Sequence, residues 1–154
     1  MAEILLGLGG NLGDARSTIE AALAAMNASG VRVTRRSAFY RTAPWGGVDQ
    51  PDFINMCAAA ETDLPPLDLL DLTQRIERER GRVPGERWGP RAIDVDILDY
   101  DGAALDWPRL TLPHPRLHER AFVLVPLAEI APDRVLAGRT IRDWAAACDR
   151  TSVT

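Results

Sequence analysis

Apolar residues follow two different spacings along the first part of the chain. Residues 2–8 form a continuous apolar run that predicts a buried strand. Apolar residues then recur at helical spacing and predict a helix, which Asp14 can cap at its start and which ends near Gly30. Residues 31–41 and 53–62 predict two further strands, because they alternate in polarity or contain β-branched and aromatic side chains.

The second half of the chain predicts another helix, one more strand and a helical end. A helix opens at Pro65 and Pro66, where proline is favoured, and stops at Gly81. Residues 92–98 predict a strand, and residues 122–130 and 140–148 predict two helices. The order β-α-β-β-α-β with a C-terminal helical extension is typical of the ferredoxin-like α+β fold, in which helices pack on one face of an antiparallel sheet.

Glycine and proline mark the connections between these elements. Residues 9–14 predict a tight turn, residues 42–51 and 81–90 predict loops, and Asp101 with the following glycine predicts a hairpin. No repeat or long linker divides the chain, and its 154 residues suit one compact core. We therefore expect residues 1–154 to form a single domain.

Composition and charge exclude several classes of protein. The chain is 46% hydrophobic and 26% charged, as expected for a folded protein. Its net charge of −4 does not favour binding to nucleic acid. No apolar run approaches the ~20 residues that span a bilayer, and the N-terminus lacks the basic start of a signal peptide. Cys57 and Cys148 match no metal-ligand spacing, so we expect buried free thiols in a reducing cytoplasm.

Lysine is absent, since all 18 basic residues are Arg. This excludes mechanisms that depend on a P-loop Lys, a Schiff-base Lys or a kinase strand Lys. Any phosphate that the protein binds must therefore be recognised by Arg, whose planar guanidinium can donate two hydrogen bonds at once.

The predicted strand 92–98 contains two carboxylates on one face. Because side chains alternate along a strand, Asp94 and Asp96 share one face and the apolar residues share the other. Their Cα atoms are expected about 6–7 Å apart. Two adjacent carboxylates repel each other unless solvent or a cation intervenes, and Mg²⁺ often takes one or two protein carboxylates with phosphate oxygens. The spacing predicts a metal site; the alternative is two solvated side chains.

Half of the Arg residues lie between residues 75 and 120. Within 75–80 they alternate with Glu on a predicted helix, and we interpret that stretch as a solvated face of paired charges. Arg82, Arg87 and Arg91 instead lie in the loop before the two Asp residues. Guanidinium groups placed there can stabilise the charge of a phosphoryl group in transfer.

A run of glycines follows the first predicted strand. Gly7 and Gly9 resemble the start of a dinucleotide-binding fingerprint, but the third glycine would have to stand at Leu12. No parallel βαβ series follows either. We interpret the run as a tight turn beside the site.

Several segments, taken in order, resemble the 6-hydroxymethyl-7,8-dihydropterin pyrophosphokinase family of folate biosynthesis. The block at residues 87–97, Arg-Trp-Gly-Pro-Arg-Ala-Ile-Asp-Val-Asp-Ile, is highly specific to that family. The other matching segments are residues 10–14, 39–42, 50–55, 74–77, 81–82, 112–116 and 120–122.

The resemblance implies an enzyme that transfers pyrophosphate from ATP to the pterin alcohol and releases AMP. Asp94 and Asp96 would hold two Mg²⁺ ions, and Arg82 and Arg91 would contact the phosphates; these four are the expected catalytic residues. Trp88 would belong to a loop that closes over the substrates.

The resemblance also assigns two substrate pockets. The expected pterin-pocket residues are Thr42, Trp45, Phe53, Asn55 and Phe122, and the two Phe rings would stack on the pterin. The expected nucleotide-site residues are Gln74, Arg82, Arg91, His114 and Arg120.

One departure from the family pattern concerns the Arg set. Pro84 stands where some members carry a second loop Arg, in a loop that is one residue shorter, and Arg87 is a candidate substitute. The expected protein is a cytoplasmic monomer that binds small-molecule substrates and neither nucleic acid nor membrane. Two other readings stay open: another Mg²⁺-dependent nucleotide transferase on this fold, and an RNA- or ligand-binding module.

Overall fold

A computed structural model describes residues 1–43, 50–80, 92–115, 117–149 and 153–154. The helices are α1 (Ala15–Asn27), α2 (Pro66–Glu79), α3 (Ala121–Ile130) and α4 (Ile141–Ala147), with a 3₁₀ turn at Leu117–Glu119. The strands are β1 (Ala2–Gly10), β2 (Val31–Arg36), β3 (Tyr40–Thr42), β4 (Phe53–Thr62), β5 (Asp94–Tyr100), β6 (Leu105–Asp106), β7 (Thr111–Leu112), β8 (Val135–Leu136) and β9 (Arg139–Thr140).

The main sheet has the order β2-β4-β1-β5, and β3 also pairs with β4. Each of these pairs is antiparallel. The predicted ferredoxin-like α+β fold is confirmed. β1 lies between β4 and β5, so residues of these two strands, which are distant in sequence, lie on either side of it.

The two faces of this sheet carry different helices. Because side chains alternate, Ile4, Leu6 and Leu8 of β1 point to one face and pack there with apolar residues of α1 and α2. Leu5 points to the opposite face and packs with α3 and α4. The two helices of the β-α-β-β-α-β core thus share one face, and the C-terminal extension covers the other.

Several strand boundaries differ from the prediction. Residues 31–41 form two strands, because Ser37 leaves the regular ladder and its Oγ accepts a hydrogen bond from the Cys57 N–H at 2.9 Å. β5 starts at Asp94 and extends to Tyr100, beyond the predicted end at residue 98, since a bulge lets its last residues continue pairing with β1.

The predicted hairpin at Asp101 is wrong. Asp101 and Gly102 do form a turn with positive φ angles of 54° and 73°. However, β6 pairs with β7 and not with β5, so the turn joins strands of different sheets. Of the two free cysteines, Cys57 is buried as expected, whereas Cys148 is partly exposed.

Candidate functional site

Two glycines of β1 lie between β4 and β5 on the α3 face of the sheet, and we call this strip the recess and the two glycines its floor. Gly9 pairs with Asn55 of β4 on one side and with Asp94 of β5 on the other. Gly7 pairs in the same way with Cys57 and Asp96. Since paired residues of antiparallel strands point to the same face, the carboxylates and the Asn55 amide border a part of β1 from which no side chain projects on this face.

Gly9 leaves room for the close approach of Asn55. A Cβ atom on Gly9 would overlap the Asn55 Oδ1 atom, which lies directly over the glycine. The interpretation of residues 9–14 as a tight turn was therefore wrong at its start, because Gly9 and Gly10 belong to β1. The alternation of Leu6 and Leu8 with Gly7 and Gly9 was the signal that could have revealed this floor.

Asp94 and Asp96 share one face of β5, as predicted, and both are half-exposed. The intervening Val95 is buried in the α1–α2 core on the opposite face. Among the described residues, no group of three or more His, Cys, Asp and Glu side chains could hold a metal ion. A divalent cation at this pair would need further oxygen ligands from a substrate or from solvent.

Thr42 and Asn55 meet where β3 ends. The Asn55 Nδ2 atom donates a hydrogen bond to Thr42 Oγ1 at 3.3 Å, and Thr42 is 4% exposed. Phe53 pairs with Thr42 and lies half-buried at the start of β4. On the far side of β3, Val153 forms a single bridge with Thr42. Three predicted pterin-pocket residues are thus neighbours at one corner of the recess.

The start of α3 and the segment before it bring three more predicted residues to this face. Phe122 lies in the first turn of α3, and the guanidinium carbon of Arg120 is 5.7 Å from the centre of its ring. His114 is tied to β5, since its backbone N–H donates to the Leu98 carbonyl at 3.1 Å. Burial lowers the pKa of His114 below its ordinary value; the nearby Asp96 carboxylate opposes this effect, and Arg120 adds to it.

Gln74 lies on α2, which packs on the other face of the sheet. Its Oε1 atom accepts a hydrogen bond from Arg109 at 3.4 Å, and Arg109 also forms a 2.6 Å ion pair with Asp71. Nothing described places Gln74 in direct contact with Asp94 or Asp96. Its role in a nucleotide site stays a prediction.

The stretch 75–80 is only partly the solvated face that its charges suggested. Arg75 and Glu79 form the expected exposed pair, at 3.5 Å. Glu77, in contrast, is buried and its Oε2 accepts a hydrogen bond from the Val95 N–H at 2.9 Å. Its burial was missed because Glu77 opens the charged run 77–80, whose other three residues are exposed.

Four predicted site residues lie outside the described residues, namely Trp45, Arg82, Trp88 and Arg91. The same holds for Pro84 and Arg87, on which the expected change in the Arg set depends. The proposed roles of these residues stay predictions.

The fold and the recess define a ferredoxin-like protein in which a carboxylate pair faces an amide across a glycine floor. Solved structures of wild-type HPPK-DHPS from Plasmodium falciparum share this fold. One, at 17% identity, aligns over 94% of this chain and 44% of that chain with a TM-score of 0.73. Another, with pteroate, is 16% identical, covers 94% and 44%, and has a TM-score of 0.76.

Sequence comparison identifies the family. The model of 7,8-dihydro-6-hydroxymethylpterin-pyrophosphokinase (HPPK) matches residues 5–132. A 2-amino-4-hydroxy-6-hydroxymethyldihydropteridine pyrophosphokinase of Methylorubrum extorquens is 49% identical over 99% of this chain and 98% of its own length. One from Pseudomonas aeruginosa is 48% identical over 94% and 91%. The chain belongs to the HPPK family.

Proposed function

We propose that the protein transfers the pyrophosphoryl group of ATP to the hydroxymethyl oxygen of 6-hydroxymethyl-7,8-dihydropterin. The observation that carries this proposal is the recess, in which Asp94 and Asp96 face Asn55 across Gly7 and Gly9. Neighbouring strands lie about 4.8 Å apart, so the carboxylate strand and the amide strand are separated by about 10 Å. A flat heterocycle and a polyphosphate can occupy such a strip side by side. Family membership supports the same reaction.

The reaction is a displacement at phosphorus. The alcohol oxygen forms a bond to the β-phosphorus, the bond from that phosphorus to the oxygen of the α-phosphate breaks, and AMP leaves with the electron pair. We assign acceptance of the alcohol proton to Asp94. Most of the rate enhancement would come from orienting the two substrates and from stabilising charge on the migrating group.

Asp94 and Asp96 would hold two Mg²⁺ ions. The donor set fits, because both side chains supply hard carboxylate oxygens, share one face and are accessible from the recess. When bound, Mg²⁺ neutralises phosphate charge and draws electron density from the alcohol oxygen. We assign charge stabilisation beyond the metal to Arg82 and Arg91 and closure over the substrates to the loop of Trp88.

The pterin would lie at the Thr42 corner. Asn55 already donates to Thr42, which leaves its Oδ1 oriented over Gly9 as an acceptor for a ring N–H. Phe53 and Phe122 would stack on the two faces of the ring, with backbone near Trp45 contributing further hydrogen bonds. His114, Arg120 and Gln74 would line the nucleotide side.

The proposal also covers the domain organisation, the oligomeric state and the cellular location of the protein. We propose that residues 1–154 form one pyrophosphokinase domain that acts as a monomer in the cytoplasm, with small molecules as its partners rather than nucleic acid. In the part of the chain that the structure describes, no helix is long and apolar enough to cross a membrane.

An AMP-release assay tests the proposed reaction. The purified protein is incubated with ATP and Mg²⁺, with and without the pterin alcohol, and with EDTA in a parallel sample. AMP should form only when both the alcohol and Mg²⁺ are present, and the pterin should gain two phosphorus atoms by mass. AMP release without the alcohol, or ADP as the product, would contradict the proposal.

A further inference from the structure

One carboxylate of α2 reaches the sheet from the face opposite the recess. Glu77 is 6% exposed and lies on the buried side of α2 together with Leu72 and Ile76. Its Oε2 atom accepts the backbone N–H of Val95 at 2.9 Å. A carboxylate is costly to bury unless polar groups stabilise it, so this hydrogen bond is a specific contact rather than an incidental one.

The position of Val95 gives that contact its significance. β5 is the last strand in the order of the main sheet, and β1 is its neighbour on the inner side. Successive residues of a strand point their N–H groups to opposite edges, and the Val95 N–H donates to Glu77 rather than to β1, so it points to the outer edge. The Glu77 carboxylate accepts the hydrogen bond that a further strand would otherwise accept.

The segment also lies at the end of the ladder. Asp94 is the first residue of β5 and pairs with Gly9, one residue before β1 ends. Ends of ladders open more readily than their centres, because fewer contacts hold them. The hydrogen bond from the Val95 N–H to Glu77 therefore fixes the backbone between Asp94 and Asp96, where strand pairing restrains that backbone least.

We propose that Glu77 is a positioning residue for the Asp94–Asp96 pair. By holding the Val95 backbone, it sets the direction in which both neighbouring side chains leave the strand on the recess face. The inference rests on the proposed role of the pair as metal ligands. Residues that orient metal ligands without touching the metal commonly change affinity or activity about 10- to 100-fold when replaced.

Two variants of Glu77 separate positioning from mere burial. Glu77→Ala removes the acceptor, whereas Glu77→Gln retains an oxygen of similar reach that can still accept the Val95 N–H. Thr62→Val is the matched control: Thr62 is 1% exposed, and its Oγ1 accepts the Leu64 N–H at 3.1 Å at the opposite end of the sheet. It also removes a buried side-chain acceptor from a backbone N–H.

The first measurement uses no metal. Amide hydrogen exchange of Val95, followed by NMR, should accelerate about tenfold or more in Glu77→Ala and stay close to wild type in Glu77→Gln and Thr62→Val. The second is calorimetric titration of Mg²⁺ into protein saturated with a non-hydrolysable ATP analogue. Affinity should fall about 10- to 100-fold in Glu77→Ala and recover in Glu77→Gln.

The outcomes distinguish the two proposals. If wild type binds Mg²⁺ and Glu77→Ala binds it equally well, the positioning role is wrong while the metal role stands. Equal losses in Glu77→Gln and Glu77→Ala would also overturn it, because the hydrogen-bond acceptor would then be irrelevant. If wild type with the nucleotide analogue binds no Mg²⁺, both proposals fail.

Discussion

The α3 face of the sheet is divided into two halves of opposite character. In one half, Leu5 and Leu98 pack against α3 residues such as Leu124 and Leu127, which are fully buried. In the other half, β1 presents Gly7 and Gly9 where the first half has Leu5. The strand, the sheet and the covering helix are the same, and only the residues at alternate positions of β1 change.

That change creates the recess. Beside the glycines stand half-exposed polar groups, Asp94, Asp96 and Asn55, rather than apolar side chains. Cys57 lies at the boundary between the halves, and burial raises the pKa of its thiol well above the ordinary range. The filled half holds the C-terminal helices on the sheet, and the open half leaves a strip on which a ligand can lie.

The largest effect should follow the loss of a carboxylate in the open half. Asp96→Ala, and likewise Asp94→Ala, should lower kcat/KM at least about 100-fold, because each would remove a proposed ligand of the Mg²⁺ that stabilises the charge of the transferred group. The melting temperature should stay equal or rise, since repulsion between the carboxylates is relieved. Steady-state assays in saturating Mg²⁺ and thermal melts would measure this, with exposed Asp106→Ala as the control. Retention of more than a few per cent of activity would contradict the metal assignment.

The filled half should respond to substitution in stability rather than in chemistry. Leu124 is completely buried, so Leu124→Ala should lower the free energy of unfolding by about 2–5 kcal/mol. Urea unfolding would measure the loss, and Leu124→Met, which keeps the volume, should cost less than about 1.5 kcal/mol. At a temperature where the variant stays folded, its kcat/KM should be close to wild type. If Leu124→Ala lowered kcat/KM without lowering the free energy of unfolding, the two halves would not differ in the way described.

Substitution of the two glycines should weaken pterin binding to different extents. Gly9→Ala should displace the Asn55 amide and weaken a pterin analogue about tenfold, as expected for one lost hydrogen bond. Gly7→Ala should have a smaller effect, because its Cβ would lie 3.5 Å from Leu98 Cδ1, an ordinary contact. Calorimetry with the analogue would compare both variants with Asn55→Ala. If Gly7→Ala and Gly9→Ala lost equal affinity for the analogue, the result would argue against a pterin position over Gly9.

The smallest effect concerns the pH dependence of stability in the filled half. Asp99 is fully buried beside Arg134, and burial raises the pKa of its carboxyl above the ordinary 3.8 despite the Arg134 guanidinium. The folded state therefore binds a proton more tightly than the unfolded state. The carboxyl stabilises the fold most at low pH, and this contribution is lost as pH rises through the folded-state pKa.

Asp99→Asn should remove that dependence. Between pH 7 and pH 3, which lies below the ordinary pKa of 3.8, wild type should gain stability relative to the variant, by up to about 1.4 kcal/mol for each unit by which the pKa is raised. Urea unfolding at both pH values would measure the difference. A wild type that loses stability relative to Asp99→Asn on acidification would show that the ion pair with Arg134 outweighs burial.

Much of the fold was predictable because its signals are local. Helical spacing and strand alternation depend on neighbouring residues, and they predicted the β-α-β-β-α-β order that the structure confirms. The period of two likewise placed Asp94 and Asp96 on one face before any partner strand was known. The strand boundary at Ser37 was less predictable, because it depends on the hydrogen bond from the Cys57 N–H to the Ser37 side chain. The start of β5 at Asp94 was less predictable, because it depends on where pairing with β1 ends.

The sequence by itself determined which residues are candidates for the chemistry and that Asp94 and Asp96 lie on the same side of their strand. Only the tertiary structure decided that Gly9 lies beneath Asn55, that Glu77 holds the Val95 backbone, and that α3 covers the second face of the sheet. These contacts join residues far apart in the chain. Strand register and helix packing bring them together, and both depend on the free energy of the whole core rather than on any local pattern.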